Sequence, residues 1–185
     1  MDDFIKVYDN IVPFSLQEKI KNSILQSQIP LFYVHNIANE YSSTPSPGFG
    51  STFIDFTNGK HTEYSFLFLE VIYYLSKHLH FLIEKVYQAR AFVHLPSPNP
   101  GLDEIHTDLN FPHWVCLYYI NDSEGNTVFF NNDKKTKLKE ISPKQGRIVF
   151  FNGLIPHCSS RPETKTRAIL NFNFQGYKFG KEKEN

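Results

Sequence analysis

His106 and Asp108 stand two residues apart in the run E104-I-H-T-D-L-N-F-P-H-W-V-C-L-Y-Y-I. On an extended chain, side chains at i and i+2 point to the same side, so an imidazole nitrogen and a carboxylate oxygen can meet on one ion. Two protein ligands leave most of a coordination sphere empty. His157, in G146-R-I-V-F-F-N-G-L-I-P-H-C, follows an apolar run and a short turn and is the candidate third ligand. Two histidines and one carboxylate are the donor set of non-haem Fe(II) centres, and that set leaves adjacent positions open. Arg167 then heads the otherwise apolar run R-A-I-L-N-F-N-F. A buried guanidinium without an anion is costly, and a guanidinium grips a carboxylate in a two-pronged fork. An HxD alone is a weak signal among eight histidines. The weight lies in the order: HxD before a strand, histidine after a strand and turn, arginine at the next strand's start.

These residues need a framework, and composition bounds it. The 185 residues suit a single domain over 1–185 with a sizeable core. A hydrophobic share of 41%, with 18 Phe and 10 Tyr, excludes a disordered chain. Nineteen basic and nineteen acidic residues balance, which argues against a nucleic-acid partner. Cys116 and Cys158 form no CxxC, which excludes a zinc cage or disulfide scaffold and suits a reducing compartment. The start, M-D-D-F-I-K, lacks an apolar leader, and the most apolar stretch, 64–87, is interrupted by charge. A cytoplasmic chain with no membrane contact is the expectation.

Along the chain, 5–8 reads as a strand. S15-L-Q-E18 reads as a capping box opening a helix with Leu16, Ile20 and Ile24 on one face, ending before Pro30. Residues 30–60 read as irregular, and the Pro/Gly/Ser-rich 41–52 as a loop that is either a lid or a surface excursion. Phe32, Tyr33 and His35 before it either line a pocket or pack. Residues 62–88 read as one long helix, with His78 and His80 facing solvent. From 89 the texture turns to strands: 89–95, 114–121, 127–131, 137–141, 147–151 and 167–174. Mainly helical support and loop over 1–88, a β core over 89–175 and a tail over 176–185 make an α+β chain. Strands apolar on both faces predict a sheet covered on both sides.

The H-T-D…H…R pattern resembles the 2-oxoglutarate/Fe(II)-dependent dioxygenases, most of all their prolyl 4-hydroxylase-like branch. W114-V-C-L-Y-Y-I-N-D-S-E-G-N-T-V-F-F resembles that branch's strand, acidic turn and GGxTxF segment, with Gly125 and Thr127 kept. I141-S-P-K-Q-G-R-I-V-F-F-N resembles its turn glycine and apolar strand leading to the distal histidine. The likeness covers about 89–175. It implies a double-stranded β-helix (jelly-roll, cupin-like) core with supporting N-terminal helices and iron at one open end.

Carried over, the resemblance gives His106, Asp108 and His157 to iron and Arg167 to the far carboxylate of 2-oxoglutarate. Tyr119 would share that carboxylate, and Thr127 is a further candidate for the pocket. It implies Fe(II), 2-oxoglutarate as cosubstrate, O2, and ascorbate as an additional ligand. The reaction would hydroxylate an unactivated C–H bond, releasing succinate and CO2. The substrate would be a prolyl or peptidyl residue; the alternatives are a free amino acid or other small molecule, or a cupin-like barrel that binds metal without catalysis. Asn173 stands where several prolyl hydroxylases carry Trp, so the floor of the cosubstrate pocket is expected to differ. The second Arg of the nucleic-acid demethylases is missing there too. Cys158 reads as a small buried filler, and His113 and Trp114 as either edges of a substrate cleft or rim residues.

Overall fold

In the second half of the chain, alternate residues of the central strands belong to two different cores. The structure is a computed structural model and describes residues 4–26, 28–37, 46–99 and 101–179. Its elements are β1 (Ile5–Tyr8), α1 (Phe14–Leu25), β2 (Phe32–Val34), β3 (Gly48–Asp55), β4 (Lys60–His61) and α2 (Ser65–Leu79). There follow β5 (Phe81–His94), β6 (Trp114–Tyr119), β7 (Thr127–Phe130), β8 (Lys137–Ile141), β9 (Ile148–Asn152), β10 (His157–Ser159) and β11 (Arg167–Lys178). On β6, Cys116 and Tyr118 join one core while Val115, Leu117 and Tyr119 join the other. On β9, Ile148 and Phe150 part from Val149 and Phe151 in the same way. The period of two sends each set to its own side of the sheet.

The larger sheet runs β1-β9-β6-β11-β5-β3-β2, with β4 on β3, and the smaller runs β10-β7-β8; every pairing within them is antiparallel. One face of the larger sheet is covered by α1 and α2 through Leu16, Ile20, Ile24, Phe68, Val71, Ile72 and Leu75. The other faces the smaller sheet across Tyr119, Phe129, Ile141, Phe151 and Ile169. Two antiparallel sheets face to face form the jelly-roll, and their double cover explains strands that read apolar on both faces.

Four expectations need correction. The helix read over 62–88 stops at Leu79, because His80 takes a left-handed cap conformation (φ 49°). Residues from Phe81 onward form the first half of β5, paired with β11 along its length, so strand pairing overrides a pattern that also fits a helix. His78 and His80 are exposed, as read. The capping box does not form: Pro13 caps α1, no side chain bonds its N-terminus, and Glu18 accepts instead from Gln145. Part of 30–60 is regular: residues 48–52 of the expected 41–52 loop belong to β3, which pairs with β5, while 41–45 lie outside the described residues. Gly176–Lys178 extend β11 where a tail was read, and 180–185 lie outside the described residues. No helix among the described residues is long and apolar enough to cross a membrane.

Gly48 fixes how closely β3 approaches β5: a Cβ there would lie 2.2 Å from the Val93 carbonyl oxygen and 2.4 Å from Ile37 Cδ1. Backbone cannot yield as a flexible side chain can. Gly48→Ala is therefore expected to lower stability by about 1–3 kcal/mol in urea unfolding. Gly101→Ala, with nothing within 4 Å of its added carbon, should stay within about 0.5 kcal/mol of wild type.

Candidate active site

The segment that carries His106 crosses onto β10, which begins at His157. The two residues exchange backbone hydrogen bonds, His106 N–H to His157 O at 3.0 Å and His157 N–H to His106 O at 2.9 Å. A second bridge, Leu102 with Ser160, lies beside it. Between them Asp103 is buried, accepting from Ser159 Oγ at 2.7 Å and from Arg161 Nε at 3.1 Å. Backbone ladder and buried ion pair thus clamp one histidine-bearing strand to the other.

The rings are oriented as well as placed. Nδ1 of His106 lies 2.9 Å from Glu104 O, and Nδ1 of His157 lies 2.9 Å from Ile155 O. A carbonyl only accepts, so each Nδ1 carries a proton and Nε2 is the nitrogen left to ligate. Phe129 and Phe151 pack against the His157 ring. One ligand atom from each of His106, Asp108 and His157 lies within 4.8 Å of the others. His157 Nε2 is 3.9 Å from Asp108 Oδ2. Burial, then the neighbouring His106, hold the His157 pKa down to about 4, outweighing Asp108, so at neutral pH this is no ion pair but two lone-pair donors facing each other. Burial opposes ionisation of Asp108 most strongly, but Arg90, His157, His106 and the Asn171 amide together outweigh it and hold its carboxyl at about 2. Two imidazole lone pairs and a carboxylate, each held by an outer partner, fit a divalent metal.

The same cavity, about 340 Å³, continues from these residues to Arg167 on β11. Arg167 is 2% exposed, and among the described residues no carboxylate pairs with it. It donates to Thr127 Oγ1 at 2.9 Å and meets His94 Nε2 at 3.1 Å, and its Nε has no partner among the described residues. Burial lowers its pKa, the sign of a cation short of compensation. His94, itself buried, is held neutral by burial and by Arg167. With Nε2 facing a donor, its proton sits on Nδ1, which is also without a partner among the described residues. Two unmet N–H groups beside a buried cation fit a carboxylate.

Of the residues singled out in the sequence, His106, Asp108, His157, Thr127 and Arg167 line this one cavity. Tyr119 does not: it lies behind Thr127, its hydroxyl 2.6 Å from Thr127 Oγ1, and its ring packs under the guanidinium at 5.6 Å. Cys158 is 1% exposed, its thiol pushed up to about 12 by burial, and it fills the wall. Asn173 is fully buried and donates to Asn171 Oδ1 at 2.9 Å; Asn171 in turn donates to Asp108. The position thus supports the Asp108 carboxylate through Asn171 and does not line the cavity. His113 and Trp114 do not edge the cavity. The His113 ring lies over Gly153, where a Cβ would sit 2.0 Å from it, and Trp114 packs on Phe81 and Phe150 in the helix-side core.

The sequence reading missed Arg90, His94 and Asn171. A signal was present: along A89-R-A-F-V-H94, Ala89, Ala91 and Val93 enter the helix-side core while Arg90, Phe92 and His94 line the cavity. That alternation places a cation, a phenyl ring and an imidazole inside a jelly-roll.

No family model matches the sequence, and no curated protein matches it. Solved structures match in shape. An oxidoreductase of the 2OG-Fe(II) oxygenase family from Burkholderia pseudomallei aligns over 92% of this chain and 84% of its own, with TM-score 0.68 and 10% identity. A prolyl-4-hydroxylase from Pseudomonas putida covers 96% of this chain and 94% of its own, with TM-score 0.62 and 15% identity. The chain has the 2OG-Fe(II) oxygenase fold. A prolyl hydroxylase from Trichoplax adhaerens, in complex with a hypoxia inducible factor oxygen degradation domain peptide fragment, shares this fold, with TM-score 0.64 and 14% identity over 92% of this chain and 83% of its own. In this oxygenase fold the chain's own residues bring two imidazoles, a carboxylate and a buried cation to one cavity.

The neutral histidines make the metal-free protein sensitive to mild acid. The folded pKa of His157 is about 4 against an ordinary 6.5, so the unfolded chain takes up the proton first. His94 is shifted in the same direction. Stability should therefore rise with pH between about 4 and 6.5 and then level. Asp108 works below this window: its contribution is complete above 3.8 and is lost only as pH falls toward 2. Urea midpoints of chelator-treated protein across the window check this, and His157→Phe should flatten part of the slope.

Proposed function

We propose that this protein is an Fe(II)- and 2-oxoglutarate-dependent dioxygenase that hydroxylates an unactivated C–H bond, with release of succinate and CO2. The observation that carries the reading is a single cavity with His106, Asp108 and His157 on one wall and a buried, carboxylate-free Arg167 deeper in. His106, Asp108 and His157 would hold the metal. Bound there, iron would supply dioxygen activation and the oxidative decarboxylation of a chelating keto acid.

The protein's part is positioning and exclusion of water. Arg167 and Thr127 would bind the far carboxylate of 2-oxoglutarate, with Tyr119 acting through the Thr127 hydroxyl and the ring beneath the guanidinium. His94 would donate its unmet Nδ1–H. Phe92, Leu117, Phe151 and Ile169 give the cavity apolar walls, which keep competing water out and strengthen charge pairing inside. Asp108 stays ionised and His157 neutral at neutral pH, the states a metal ligand needs. Ascorbate would act as an external reductant of the iron.

A metal-binding barrel without catalysis has no use for Arg167, which disfavours that alternative. The two prolyl hydroxylases among the structural neighbours make a prolyl or peptidyl residue one substrate candidate, and a free amino acid or other small molecule the other.

Uncoupled succinate release tests the assignment. Arg167→Ala is expected to raise the apparent KM for 2-oxoglutarate about a hundredfold or more, two charge-assisted bonds being worth about 1.5–3 kcal/mol each, while Fe(II) still binds. His157→Ala should abolish turnover. Unchanged 2-oxoglutarate kinetics in the first variant, or full turnover in the second, would remove the residue from its role.

A further inference from the structure

Resting on that reading, we infer that Arg90 is a second anion anchor and that the substrate is a small molecule carrying a carboxylate, gripped at the outer end of the cavity. Arg90 lies on β5 opposite Asn171, and His94 lies opposite Arg167. The two arginine positions are thus four residues apart along the paired strands, about 13 Å at a strand's rise. They bracket the cavity, and both line it. Arg167 is at the dry end, 2% exposed; the Arg90 side chain is 22% exposed, at the wetter one. Phe92 and Thr107 also line the cavity, and the Phe92 ring lies 5.5 Å from the guanidinium carbon.

Asp108 alone does not satisfy Arg90. Nη2 of Arg90 contacts Asp108 Oδ1 at 3.0 Å, but Asn171 already donates to both oxygens of the same carboxylate. The buried Nε of Arg90 has no hydrogen-bond partner among the described residues. Asp55 also feels the Arg90 charge, yet its oxygens accept from Thr57 and Asn58. Charge balance sharpens the point. Fe(II), the Asp108 carboxylate, doubly anionic 2-oxoglutarate and Arg167 together sum to zero, because an imidazole bound to a metal is neutral. Arg90 is then a surplus, partly buried cation at the cavity's outer end, and one carboxylate neutralises it. A guanidinium presents five N–H donors in a planar fork, so it can keep one bond to Asp108 and still offer a pair to a second carboxylate. This favours a free amino acid or short carboxylic acid over a proline within a chain, whose peptide groups carry no charge.

The test is equilibrium binding by calorimetry to the full-length protein loaded with Zn(II) and 2-oxoglutarate. The probes are L-proline, L-leucine and hexanoate, each against its primary amide, and a proline-containing peptide blocked at both ends. At least one acid is expected to bind about tenfold or more tightly than its amide, and the blocked peptide not to compete. Arg90→Met should erase the acid–amide ratio, and Arg90→Lys should keep part of it. The ratio is internal to each variant, so a general loss of affinity does not mimic the result. Amides or the blocked peptide binding as well as the acids, no acid binding at all, or a ratio that survives Arg90→Met would each overturn the inference. Failure of 2-oxoglutarate to bind the Zn(II) protein would instead sink the oxygenase reading beneath it.

Discussion

The site depends on one pair of backbone hydrogen bonds, those between His106 and His157. Everything that could hold a metal is referred to it. The pair sets the spacing of two imidazoles, and Asp108 follows two residues on from one of them, on the same side of an extended segment. Asp103, buried between Ser159 and Arg161, closes the segment against β10 just outside the pair. Breaking such a buried ion pair by removing one partner typically costs about 3–5 kcal/mol, because the other charge is left stranded. The chain thus invests a buried charge near the site, where it fixes register rather than adding packing.

The second constraint is electrostatic. A cavity between two apolar sheets is a poor place for charge, yet this one is lined by Arg90, Arg167 and Asp108 and by three histidines. Asp108 is the only carboxylate among these lining residues, and it is claimed by Arg90 and by Asn171. Arg167 has to make do with a hydroxyl, a neutral imidazole and an aromatic face. An arrangement that leaves cations short of anions, in surroundings where each shortfall is costly, is one built around ligands that bring the anions with them.

Much of this was legible in the sequence. His106, Asp108, His157 and Arg167 stand out because each interrupts or flanks an apolar run, and their order tracks the strands that carry them. The strands after 114 were legible because β-branched and aromatic residues dominate them. What escaped depends on register between distant strands. Leu79, Leu82, Ile83 and Val86 fit a helical period as well as a strand, and only pairing with β11 decides for the strand beyond His80. Ser15 and Glu18 have the spacing of a capping box, but Pro13 starts the helix earlier and Glu18 turns to Gln145. Arg90 and His94 became site residues only once β5 was seen to lie beside β11. Asn173 was rightly singled out but wrongly placed, because its effect reaches the site through Asn171.

The central claim is that a metal on His106, Asp108 and His157 and an anion on Arg167 share one cavity and can be bridged by one keto acid. Anaerobic addition of Fe(II) and then 2-oxoglutarate tests it most directly, read as the weak visible charge-transfer absorption of an iron-bound 2-oxo acid. The account predicts a band that appears only with both components and saturates at one equivalent of each. Iron and 2-oxoglutarate binding independently, with no such band, would contradict it.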